Sequence, residues 1–174
     1  MSRVIDRAVA LAVVLISAWN VRADKLEGIT RPRFPTSCIL RAVLGRMHLE
    51  LRGDLDLPRV YFESTTPLSQ FQRATVPQWG FTPEVFANAY VMSRNEIYLV
   101  DEANAYRAHG ATIDDSLAHE LTHYVQTRYL AATLDDDPSL EFQAVDVQRW
   151  FRETHVSGTP SHDLCEPLAT ASRP

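Results

Sequence analysis

Five consecutive residues, His119-Glu120-Leu121-Thr122-His123, have the types and the spacing of a hydrolytic metal site. Side chains four apart on a helix share a face at a separation of about 6 Å, so the two imidazoles can converge on one cation. Glu120 then sits one step round the helix, beside the coordination position that such a metal leaves open for water. Two histidine ligands, a third ligand from elsewhere and a carboxylate that takes a proton from water are the parts this chemistry requires. The plainer alternative for the same residues is a helix with two exposed histidines.

The flanking sequence supplies elements that could position these groups. Thr112 with Asp115 three residues on is a capping pair that starts the helix one to two turns before His119. Leu117, Leu121, Val125 and Arg128 mark one side of it and His119, His123 and Gln126 another; its end is expected near residues 130–132. Asp135, Asp136 and Asp137 make an acidic turn with too few oxygen ligands for a calcium loop. Asp137 as cap and Pro138 as first helical residue begin a second helix, on which Leu140, Ala144, Val147 and Phe151 form a core stripe at helical spacing. Glu141 borders that stripe near the helix N-terminus, close to the level at which the preceding helix carries His123.

Upstream, Thr36 or Ser37 can cap a helix whose apolar positions are Ile39, Leu40, Val43, Leu44 and Met47. His48 near its end reads as a solvated or capping residue. Residues 60–62 read as a strand. Residues 69–80 read as a loop with Phe71 and Trp79 tucked inward, and Thr66-Pro67 and Thr82-Pro83 as starts of a short helix or turn. Residues 90–92 and 97–100 flank Ser93-Arg94-Asn95-Glu96 as a β-hairpin. The expected fold is therefore α+β, a small antiparallel sheet packed on the His-bearing helix and the Glu141 helix. Residues 97–100 are expected to offer a sheet edge to an extended peptide.

Composition narrows the partners. Residues 8–19 carry no charge, follow Arg3 and Arg7 and precede Val21-Arg22-Ala23, the order of a secretory signal peptide with cleavage after Ala23. So short an apolar run does not span a bilayer, which needs roughly 20 residues, and no permanent membrane span is expected. Residues 24–174 then form a single domain, exported to a periplasm or secreted. Removing Arg3, Arg7, Arg22 and Asp6 from 17 basic and 22 acidic residues leaves 14 against 21, a net charge of −7. That surface repels phosphate backbones and argues against nucleic acid. The two cysteines, Cys38 and Cys165, are expected to pair in an oxidising compartment.

The third ligand separates the possible families. Gln126 and Tyr129 occupy the positions where a metzincin has glycine and histidine, and no second Glu-x-x-His exists for a di-iron bundle. His119-Glu-Leu-Thr-His123 followed by Glu141-Phe-Gln-Ala144 on a second helix resembles the gluzincin metallopeptidases, over about residues 96–150. With Tyr124-Val-Gln126 and Gln148 added, it is also similar to small exported bacterial proteins of unassigned function. The resemblance implies a zincin-like fold and a Zn2+ ion held by His119, His123 and Glu141. It also implies Glu120 as general base and a peptide or protein substrate. Val145 stands where the thermolysin-like branch has an aspartate supporting a histidine ligand. A donor for the developing oxyanion is expected from Tyr129 or His155, with Tyr106 and His162 as further candidates. The alternative to a peptidase is a non-catalytic metal-binding or structural module of the same fold.

Overall fold

A computed structural model describes residues 28–134 and 137–157 of the chain. The expected leader, His162 and Cys165 lie outside these residues, and so does the expected bridge to Cys38, which is itself buried in the core. The elements in chain order are α1 (Thr36–Arg46), β1 (Arg59–Phe62), α2 (Leu68–Trp79), β2 (Ala89–Val91), β3 (Glu96–Leu99), α3 (Ala103–Arg107), α4 (Ile113–Arg128) and α5 (Pro138–Phe151). Short 3-10 turns follow β1 and β2, and a π turn, Arg152–Val156, closes the described chain. No helix among the described residues is long and apolar enough to cross a membrane.

The fold is α+β, but the sheet is mixed, a correction to the antiparallel expectation. Its order is β1-β3-β2, with β3 antiparallel to β2 and parallel to β1, Val60 opposite Ile97. A parallel pair needs a long crossover, and α2 lies within the one between β1 and β3. Residues 69–80, expected as a loop, form that helix. Phe71, Ala74 and Thr75 give it a buried face at i, i+3 and i+4, and Gly80 ends it at φ 73°, a left-handed cap that glycine adopts without strain. Pro77 sits in its last turn, where it gives up one helical hydrogen bond while the apolar face still drives docking. The expected hairpin is present, its turn running through Met92–Arg94 to left-handed Asn95, so that Glu96 belongs to the strand.

With β3 central, helices cover both faces of the sheet. Ile97 and Leu99 point into a core shared with α1, α4 and α5, while Tyr98 points the other way, into a second core with Phe71, Phe86 and Val91. All four β3 residues are buried, as expected of a strand covered on both faces. The only acidic one, Glu96, is met by Arg94 at 2.9 Å, Arg59 at 3.3 Å and the Tyr98 hydroxyl at 2.8 Å.

α4 packs between the sheet and the α1/α5 layer. Its Leu117, Leu121 and Val125 are fully buried, each worth roughly 1.5–3 kcal/mol of apolar transfer. The capping box expected from Thr112 and Asp115 forms in both directions, at 3.3 and 3.1 Å. Asp137 caps α5 through Ser139 N–H at 2.9 Å, with Pro138 in the first turn. α1 begins at Thr36 behind Pro35 with no side-chain cap, so neither Thr36 nor Ser37 serves as one.

Asp114 anchors the lead-in to α1 against α4. Its buried carboxylate accepts from Arg33 N–H at 2.8 Å, Phe34 N–H at 3.2 Å and Arg33 Nε at 3.1 Å. Asp114→Ala would strip two backbone donors of their partner, and urea unfolding should show a loss of about 2–3 kcal/mol. Asp114→Asn, which keeps an acceptor, should lose less.

Candidate metal centre

His119 and His123 lie one turn apart on α4, and Glu141 reaches them from the first turn of α5. The two helices pack antiparallel, so that the C-terminal half of α4 meets the N-terminal half of α5. The Nε2 atoms of the histidines are 3.1 Å apart. Glu141 places Oε1 3.5 Å from His119 Nε2 and Oε2 3.2 Å from His123 Nε2. One ligand atom from each residue can be chosen so that all lie within 4.8 Å of one another. Tetrahedral ligands on zinc, at bonds of roughly 2.0–2.1 Å, stand about 3.3 Å apart. The two imidazole nitrogens and the nearer Glu141 oxygen of each pair stand on either side of that value, the two Glu141 distances belonging to different oxygens, so the three side chains form a group that could hold a metal ion.

Electrostatics favour neutral imidazole here. Burial first, and the neighbouring His123 second, pull His119 down to about 4, so its ring is neutral imidazole, the charge state in which a histidine can ligate a cation. Glu120 is buried, and burial, followed by the charge of Glu141, raises it to about 8. The opposing influence on Glu120 is the Tyr90 backbone N–H. A cation among the three ligands would act in the opposite sense on this carboxyl and favour its ionised form.

The site opens into a cleft of about 670 Å³, walled by α4 and α5 on one side and by β2 and the end of α2 on the other. His119, Glu120, His123 and Glu141 all line it, facing Gln78, Asn88 and Tyr90. The strand beside the cleft is β2. β3, which the sequence suggested as a peptide-binding edge, is interior and offers none, because β1 and β2 take both of its sides. Even the β2 edge is partly taken. Gln78 Nε2 donates to Tyr90 O at 3.0 Å and Met92 N–H donates to Gln78 Oε1 at 3.0 Å, so one side-chain amide pairs with the strand as a peptide unit would.

Neither of the two residues chosen as oxyanion donors lines this cleft. Tyr129 follows the last turn of α4, packs edge-on to Tyr124 at 6.0 Å and receives Arg52 N–H at 3.4 Å. His155 lies in the π turn between the rings of Trp150 and Phe151, at 5.3 and 5.0 Å. Tyr106 spends its hydroxyl on Val100 O. Each is drawn off by aromatic packing or a backbone acceptor that spacing in the sequence does not reveal. Val145 and Asp146 point outward on α5.

Glutamines not given roles from the sequence take part instead. Gln126 is fully buried and its Oε1 lies 2.9 Å from His123 Nδ1. His119 Nδ1 is buried without a hydrogen-bond partner among the described residues. Gln148 is the polar group beside it, holding its basicity up without reaching hydrogen-bond geometry. The available signal for Gln126 was its place on the histidine side of α4, a glutamine where the helix is otherwise packed.

In comparisons with known proteins, the chain matches no family model, no curated protein and no solved structure.

Removing Glu141 takes away a donor and leaves the α5 core stripe untouched, since its side chain is more than half exposed. Glu141→Ala should therefore keep the thermal transition and weaken zinc binding by more than the roughly 10–100-fold typical of losing a ligand's supporting partner. Tyr129→Phe and His155→Ala should leave zinc affinity unchanged in the same chelator competition.

Proposed function

We propose that the protein is an exported zinc-dependent peptidase of gluzincin type, with a zincin-like fold. The observation that carries this reading is the convergence of His119, His123 and Glu141 at zinc-ligand separations, with the buried Glu120 carboxyl in the same cleft. Two imidazoles and a carboxylate leave a tetrahedral ion one open position, the arrangement of a catalytic site and not of a closed four-ligand structural site. Zn2+ held there would lower the pKa of water toward about 7 and polarise a carbonyl.

The chain's own residues supply the remaining work. Glu120 is not a ligand. Buried in the wall of the cleft, its carboxylate accepts a proton from the attacking water and returns it to the departing amine.

A second reading is a metal-binding module without catalysis, favoured by the Gln78 amide, which takes up Tyr90 O and Met92 N–H on the edge where a substrate backbone would lie.

Glu120→Gln separates the two readings. The parent, purified and loaded with one equivalent of zinc, is expected to cleave members of a peptide library. The variant should retain the zinc and lose at least the roughly 10²–10⁴-fold that general-base catalysis contributes. Equal cleavage by both would remove Glu120 from the mechanism, and a zinc-loaded parent that cleaves nothing would favour the non-catalytic module.

A further inference from the structure

We propose that Gln126 is a positioning residue that sets the His123 tautomer and holds the Glu141-bearing turn of α5 in place, an inference that rests on the metal-site reading above. The carboxamide is fully buried, and all its polar contacts bear on the site. Its Oε1 faces His123 Nδ1 at 2.9 Å. Its Nε2 donates to Leu140 O at 2.8 Å and to Gln143 Oε1 at 3.0 Å.

These contacts fix the orientation of the amide and of the ring together. A carboxamide nitrogen can only donate and its oxygen can only accept. The Leu140 carbonyl, which can only accept, therefore assigns that end as the nitrogen, leaving the oxygen toward His123. His123 Nδ1 must then carry the proton, and the Nε2 lone pair points at Glu141 and His119, which is the form a cation needs. With Nε2 of His123 an acceptor, the 3.1 Å contact between the two Nε2 atoms requires the donor to be His119 Nε2–H in the metal-free protein. His119 Nδ1, buried and unpartnered, agrees with that assignment.

The other end of Gln126 acts on the third donor. Leu140 immediately precedes Glu141, and its carbonyl lies in the first turn of α5, where it is held across the interface by α4. The same amide thus registers the first turn of one helix against the last full turn of the other. An aspartate four residues after Glu141 is not needed for this, since the support reaches His123 from its own helix at i+3.

The test is made on the full chain in metal-free and zinc-titrated form. Nitrogen-15 NMR of the imidazoles in the metal-free parent should show His123 as the Nδ1–H tautomer and His119 as Nε2–H. Gln126→Leu, with folding checked by its thermal transition, should mix the His123 tautomers and weaken zinc by about 10–100-fold. Gln126→Glu keeps an acceptor and should restore the Nδ1–H form. An Nε2–H tautomer of His123 in the parent would overturn the proposal whether or not any variant folds. So would a folded Gln126→Leu protein with an unchanged tautomer or unchanged zinc affinity. A parent that binds no zinc sinks the metal reading, while the metal-free spectra still decide the role of Gln126.

Discussion

α4 is buried on nearly every side, and that constraint shapes the rest of the molecule. A helix that carries water-seeking groups into a sandwich of sheet and helices must find partners for them, because an unpaired buried polar group costs roughly 1–3 kcal/mol. Of the ten buried polar or charged residues among the described ones, six lie on α4: Asp114, Asp115, Ser116, Glu120, Thr122 and Gln126. Asp114 draws in the lead-in to α1, Thr122 turns its hydroxyl back to Ala118 O at 2.8 Å, and Gln126 draws in α5. The packing of neighbouring elements follows from satisfying this one helix.

Such a concentration of buried polarity is poor economy for a purely structural helix, where alanine or leucine would serve. It becomes intelligible if α4 must present two imidazoles and a carboxyl to a cleft at fixed angles. The histidines occupy the side of α4 that faces the open end of the α4/α5 interface, and Leu117, Leu121 and Val125 occupy the side that docks on the sheet. Rigidity of the second side is what gives the first its precision. The separations among His119, His123 and Glu141 are set by one helical turn and one helix-to-helix contact.

The β2 edge tells a similar story from the other wall. Edge strands expose unpaired backbone groups, and proteins cover them to prevent unwanted pairing. Here a glutamine side chain from α2 takes two of those groups, and Glu120 lines the same cleft wall beside Tyr90. The edge is protected at Tyr90 and Met92 and at the same time forms one wall of the cleft.

Local chemistry was legible in the sequence. The Thr112 and Asp115 capping box, the Asp137-Pro138 start of α5, the apolar stripes of α4 and α5, and the convergence of His119, His123 and Glu141 all depend on spacing along one or two helices, and helical spacing is fixed by the backbone. What spacing could not supply was direction in space. The parallel pairing of β1 with β3, the helix over Leu68–Trp79 and the interior place of β3 depend on how separate segments share two cores, which no local pattern specifies. For the same reason Tyr129 and His155, polar residues near the right part of the chain, were taken up by Arg52, Tyr124, Trp150 and Phe151 instead of the cleft. Gln126 lies between the two cases: its place beside His123 followed from the helix, but its hold on Leu140 arose only when the chain folded α5 back against α4.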